Sequence, residues 1–175
     1  MMTAPETWSA QWPEALECSR LDDAVTGQAY EAVSPAQRAC IKTGIAFHYA
    51  LHGEQPEQWE QRICNRAQGF AHTVRRRAAA WTLLFMEPEY AAGPRLIAAL
   101  MPAVLARVPM VGVVCVGGLP SAAASASLEL LGIEDIFCLA DHAAAQQALR
   151  HMSQRKGSEG RALFVHKGAL GALEA

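Results

Sequence analysis

The sequence predicts an α/β fold: a Rossmann-like parallel sheet with helices on both faces, preceded by an N-terminal helical segment. Three observations predict it. From residue 79 onward, short apolar runs alternate with Ala/Leu-rich stretches of helical length. The runs are continuously apolar rather than alternating, as strands covered on both faces are. Helix start and stop residues fall between them: Pro120 and Asp141 where helices begin, Gly132 where one ends.

In chain order, residues 1–33 are polar with weak periodicity, and "PEALECSRL" suggests a short helix. "VSPAQRACIKTGIAFHYALHG" reads as a helix, with Ser34 as N-cap, Pro35 at its first position and Gly53 after its end. Ile41, Ile45, Phe47, His48, Leu51 and His52 recur within it at near-helical spacing. A second helix is expected from Pro56 to Ala67, closed by Gly69. These elements set a division into a helical segment, 1–68, and an α/β core, 69–175, within one compact domain. "FAHTVRRRA" reads as a strand, and "AWTLLFM" as the first core strand. A helix over 91–107 follows, then the strand "MVGVVCV", a helix from Pro120 to Gly132, the strand "EDIFCLA" and a helix capped by Asp141. "RALFVH" is a last strand, and an Ala/Leu tail ends the chain.

A chain of 175 residues is one domain in size and long enough to bury a core. Its net charge of −2 gives no electrostatic match to nucleic acid or an anionic membrane. The N-terminus lacks the basic and apolar regions of a signal peptide, and the longest apolar stretch is broken by Pro102, Arg107 and Pro109. The five cysteines, Cys18, Cys40, Cys64, Cys115 and Cys138, are scattered and never spaced Cys-x-x-Cys. That pattern points to free thiols and a cytoplasmic location, with Cys115 and Cys138 buried and inert.

Right-handed crossovers place every strand's C-terminal end on one edge of such a sheet, where open sheets bind ligands. The first core strand delivers Glu87, Glu89 and Tyr90 there, and the second delivers Gly117, Gly118 and Ser121. The third delivers Asp141 and His142, and the last His166 and Lys167. In place of a glycine-rich phosphate turn, the first strand ends in Glu87-Pro88-Glu89. Carboxylates there can cap the following helix and repel a pyrophosphate, and Pro88 removes an N–H. "VGGLPS" is the better anion candidate, because two glycines precede a helix start. Its ordinary reading is a turn that needs glycine for geometry alone.

Glu87, Asp141, His142 and His166 are metal-ligand types at long spacing, and His48 and His52 are spaced i, i+4. Neither set includes enough ligands at suitable spacing to predict a metal site. Arg75, Arg76 and Arg77 form a basic cluster; on a strand at most two of them share a face, and Arg76 is a candidate for bidentate anion contact. No nucleophile triad, Gly-x-Ser-x-Gly or Walker pattern is present, so no catalytic residue is assigned.

From about residue 14 to about residue 150 the chain resembles the N-terminal part of the histidinol dehydrogenase family. "EALECSRLDD" is similar to that family's helix running into a Phe-Asp turn, and "AVSPAQRACIKTGIAFHYALHG" to its Val-Ser-x-x-Glu-Ile helix and the helix ending near Phe-His. "GFAHTVRRRAAAWTLLFMEPEY" resembles its segment from a Gly through Thr-Arg-Pro to a Pro-Gly-Gly turn. "GPRLIAALMPAVLARVPMVGVVC" and "SASLELLGIEDIFCLADHAAAQQAL" resemble the helices and strands that follow. The resemblance implies a Rossmann-like domain with helices packed before it. Arg76 matches an arginine of the family's strand. The family's Pro-Gly-Gly turn, however, falls on Met86, Glu87 and Pro88, its preceding tyrosine on Leu84, and its Gly-Gly-Ala-Gln on Ala140, Asp141, His142 and Ala143. These positions resemble an NAD-contacting edge that has been replaced. The family's zinc ligands and Glu-His acid/base pair lie beyond the matching part.

Three functions follow as expectations, the third being a different chemistry on the same edge that uses Glu87, Asp141 and His142. The first is a shortened relative without dehydrogenase activity, acting as a small-ligand-binding or protein-interaction domain, with candidate contacts at Arg76, Glu87, Gly117, Gly118, Ser121, Asp141 and His142. The alternative is an NAD-linked oxidoreductase component completed by a partner chain. NAD is the one cofactor the resemblance suggests, and the association of chains in that family suggests a homodimer.

Overall fold

A computed structural model of the protein describes residues 11–53, 58–155, 159–168 and 170–173. Its centre is a four-stranded parallel sheet made of β3 (Trp81–Met86), β4 (Met110–Val116), β5 (Asp135–Leu139) and β6 (Gly160–Val165), in the order β5-β4-β3-β6. Helices α4 (Gly93–Leu105), α5 (Ala122–Leu131) and α6 (His142–Ser153) connect successive strands. Alternate residues of each strand feed two cores. Leu83, Phe85, Val114, Val116, Phe137 and Leu139 face α6 and the N-terminal Trp12 and Leu16. Leu84, Met86, Val113, Cys115 and Ile136 face Leu96, Leu100 and Met101 of α4 and Leu128 of α5. The predicted Rossmann-like α/β architecture, with helices on both faces, is the observed one.

The N-terminal segment holds α1 (Glu14–Glu17), α2 (Asp23–Ala32) and α3 (Pro35–His52). Between α1 and α2, residues 19–21 run along the outer edge of β5: Leu21 N–H donates to Ile136 O at 2.7 Å, and Cys138 N–H to Ser19 O at 2.8 Å. This covers an edge that would otherwise expose unpaired backbone groups. Helices α2 and α3 pack outside α4 and α5 as a further layer. Ser34 caps α3 through a capping box with Gln37, and Gly53 follows it at φ 62°. Helix α2, which weak periodicity concealed, is capped by Asp22.

One element departs from expectation. Residues 58–65, read above within a helix, form strand β1 (Gln58–Asn65), while residues 54–57 lie outside the described part. β1 pairs antiparallel with β2 (Phe70–Arg77), joined by a turn over 66–69. The boundary expected at 68/69 therefore runs through a hairpin. Its physical reason is a period of two: Trp59, Ile63, Phe70 and Val74 share one face, while Glu60, Arg62, Thr73, Arg75 and Arg77 share the other. Helix formers such as Glu60, Gln61 and Arg62 masked that alternation. Both strands are largely exposed, and the hairpin's extensive packing is with itself.

Candidate functional site

The chain runs from β3 outward through β4 to β5, then returns to the opposite side of β3 as β6. The topological switch point therefore lies between β3 and β6, and a ligand crevice in this fold would open at their C-terminal ends. Glu87 sits there. It is 8% exposed, and its Oε2 accepts the backbone N–H of Lys167, just past β6, at 3.2 Å. The turn it begins closes with Tyr90 N–H donating to Glu87 O at 3.1 Å, with Pro88 at the second position. Helix α4 then starts after Ala92, which makes no side-chain cap. The expectation that Glu87 and Glu89 cap α4 is thus corrected. Glu87 bridges across the switch point to the β6 loop, and Glu89 is exposed.

The neighbouring β4 turn packs onto this one. Gly117 adopts φ 94°, which glycine alone adopts readily, and its N–H donates to Leu139 O at 2.8 Å. Gly118 lies against Pro88, so that a Cβ there would stand 3.2 Å from the proline Cγ. Ser121 accepts from Ala124 N–H at 3.3 Å as N-cap of α5, and its hydroxyl donates to Tyr90 O at 3.2 Å. Gly118 and Ser121 are therefore accounted for by packing between the two turns, and Gly117 by its positive φ.

The other candidates are dispersed. Asp141 is exposed and caps α6, its Oδ1 accepting Ala144 N–H at 2.9 Å, and His142 begins that helix. Both follow β5, at the far side of the sheet from the switch point. Arg76 stands on the hairpin with its guanidinium 5.3 Å from the centre of the Trp59 indole. Structure thus gathers Glu87, Gly118 and Ser121 and leaves Asp141, His142 and Arg76 apart from them. His48 and His52 stack at 5.8 Å between ring centres on α3. Among the described residues, no group of three or more His, Cys, Asp or Glu side chains is placed to hold a metal ion. No described helix is long and apolar enough to cross a membrane.

The sequence reading missed two surfaces. On α3, Ala36, Cys40, Gly44, Phe47 and Leu51 follow one another at intervals of three or four residues and so share a helix face. Phe47 is 61% exposed and Leu51 60%. Beside them, Cys40, Gly44 and Phe47 line an apolar groove of about 550 Å³ with Pro94 and Ile97 of α4. The hairpin presents two further exposed apolar side chains on one face, Ile63 at 51% and Phe70 at 53%, among Gln61, Asn65, His72 and Arg76. The signal for the first was present in the sequence, as apolar residues on more than one side of α3; only the structure shows which side the body covers. Searches of family models, curated proteins and solved structures find no match to this chain.

Proposed function

We propose that this chain is a self-associating interaction domain on a Rossmann-like scaffold, without dehydrogenase chemistry of its own. On the resemblance described above, it is a relative of the N-terminal part of the histidinol dehydrogenase family whose nucleotide edge has been given over to packing. The observation that carries this reading is the exposed stripe Cys40-Gly44-Phe47-Leu51 over its groove. A helix apolar on more than one side is stable in water when both sides are covered.

A second copy is the occupant that the chemistry favours. From Ala39 to Gly53, α3 carries one formal charge, Lys42, so two copies meet there without strong repulsion and offer a charged partner little to recognise. Gly44 permits close approach of backbones, and a two-fold axis would set Phe47 of each copy into the other's groove. A helix of 18 residues is about 27 Å long and by itself covers less than the roughly 800 Å² per partner of a stable interface. Glu87 supports the negative half of the proposal, because a buried carboxylate at the switch point opposes a pyrophosphate.

Size-exclusion chromatography with light scattering tests the reading. The wild-type chain is expected at twice the mass of one chain, and Phe47→Glu with Leu51→Glu at one, with unchanged circular dichroism. A wild-type chain that stays single at high concentration, or a double variant that stays paired, would overturn it.

A further inference from the structure

We infer that the opposite end of the sheet, where the strands begin, holds a binding site for a small phosphate monoester. A cavity of about 510 Å³ opens there between the base of the hairpin and α4. That is the size of a small-molecule site. Arg75 and Arg77 reach it from the hairpin's polar face, and Arg161 from β6; among the described residues Glu159 is the one carboxylate on its wall. The opposite wall is apolar, with Ala99, Pro102, Ala103 and Leu163. Arg75 is held by Glu60, so the two guanidiniums left for a ligand that displaces Glu159 are Arg77 and Arg161, which match the charge of a phosphate monoester, close to −2 at neutral pH. The apolar wall suits the organic group that the ester carries.

The guanidiniums are available for exchange. Arg77 bonds Glu159, but the pair is 65% and 77% exposed, so water already weakens it. Arg75 bonds Glu60 at 2.8 Å with 77% and 53% exposure. Arg161 donates to Gly160 O at 3.0 Å and has no carboxylate partner among the described residues. A phosphate can replace the Glu159 carboxylate, which Arg77 holds through a single nitrogen, and can take up a forked contact on Arg77 while gaining Arg161 as well. Arg76, the arginine singled out from sequence, points to the hairpin's other face and takes no part. The inference is independent of self-association, which rests on the α3 stripe.

Thermal denaturation and calorimetric titration with phenyl phosphate, at fixed ionic strength, test it. We expect a saturable rise in midpoint, larger than inorganic phosphate gives. Arg77→Ala and Arg161→Ala should each weaken binding at least tenfold while leaving the unliganded midpoint nearly unchanged, since both side chains are exposed. Arg161→Lys should recover part of the loss by restoring charge without the fork. Arg62→Ala, on the same hairpin face but outside the cavity, should bind as wild type. Absence of saturable binding, or equal weakening by Arg62→Ala, would overturn the inference.

Discussion

Glu87 and Lys167 join the two ends of the fold: the carboxylate that follows the first core strand accepts the backbone N–H that follows the last, at 3.2 Å. Eighty residues separate them in sequence. The bond spans the switch point, so it holds the β3 and β6 loops together where related architectures leave a crevice. Glu87→Gln keeps an acceptor and should change stability by less than about 1 kcal/mol. Glu87→Ala removes it and leaves the Lys167 N–H to water, for a loss of about 0.5–1.5 kcal/mol. Urea denaturation of the two variants measures the difference. Equal effects would show that the bond contributes little.

The same arrangement sets an expectation for dinucleotides. Titrating NAD⁺ to millimolar concentration should leave the thermal midpoint of the wild-type chain unchanged. A ligand at a hundred times its dissociation constant would add about 2.7 kcal/mol, which such a measurement resolves easily. A saturable shift would show that the edge accepts a pyrophosphate despite Glu87, and would revive the oxidoreductase alternative.

Gly160 is the position where β6 is most sensitive to substitution. It pairs in register with Trp81 of β3, and a Cβ added to it would overlap the Trp81 indole. Trp81 is 4% exposed and packed in the core, so the ring has little room to move. Gly160→Ala should cost about 3 kcal/mol or more, at the upper end of overpacking effects. The control is Trp81→Leu, which makes room: in the double variant the Gly160→Ala penalty should largely vanish, a coupling that a double-mutant cycle reads directly.

The parallel core was legible because strands such as "MVGVVCV" are apolar throughout and are bounded by helix starts with recognisable chemistry. Ser121 and Asp141 cap α5 and α6, and Gly132 ends α5 in a left-handed conformation. The hairpin was not legible as such. Trp59 and Ile63 lie among Gln, Glu and Arg residues that suit a helix equally well, and the alternation becomes decisive only with the paired strand beside it. At the site, the Glu87-Pro88-Glu89 turn was visible in the sequence, but the partner of Glu87 is a backbone N–H eighty residues away, which no local pattern announces. The arginine run was visible, yet choosing among its members required the register: Arg75 and Arg77 face the cavity with Arg161, and Arg76 faces away.

Cys115 and Cys138 stand side by side in register on β4 and β5. Burial first, with the nearby Cys138 and Glu89 adding to it, pushes the Cys115 thiol up to about 12; burial raises Cys138 as well. The folded state therefore keeps a proton on Cys115 that the unfolded chain releases from about pH 9 upward. Its contribution to stability is complete below that pH and is lost as pH rises toward 12, with a slope of at most about 1.4 kcal/mol per pH unit. Urea midpoints at rising alkaline pH should fall more steeply for wild type than for Cys115→Val, which cannot ionise. Iodoacetamide supplies the complementary reading. In the folded chain it should modify the exposed Cys18 and Cys64 readily at mildly alkaline pH, and Cys115 only after unfolding. Cys40 is exposed in the single chain but lies on the α3 stripe, so dilution should speed its modification relative to Cys18 if two copies cover it. Equal rates for Cys40 and Cys18 at every protein concentration would place the contact elsewhere than on α3.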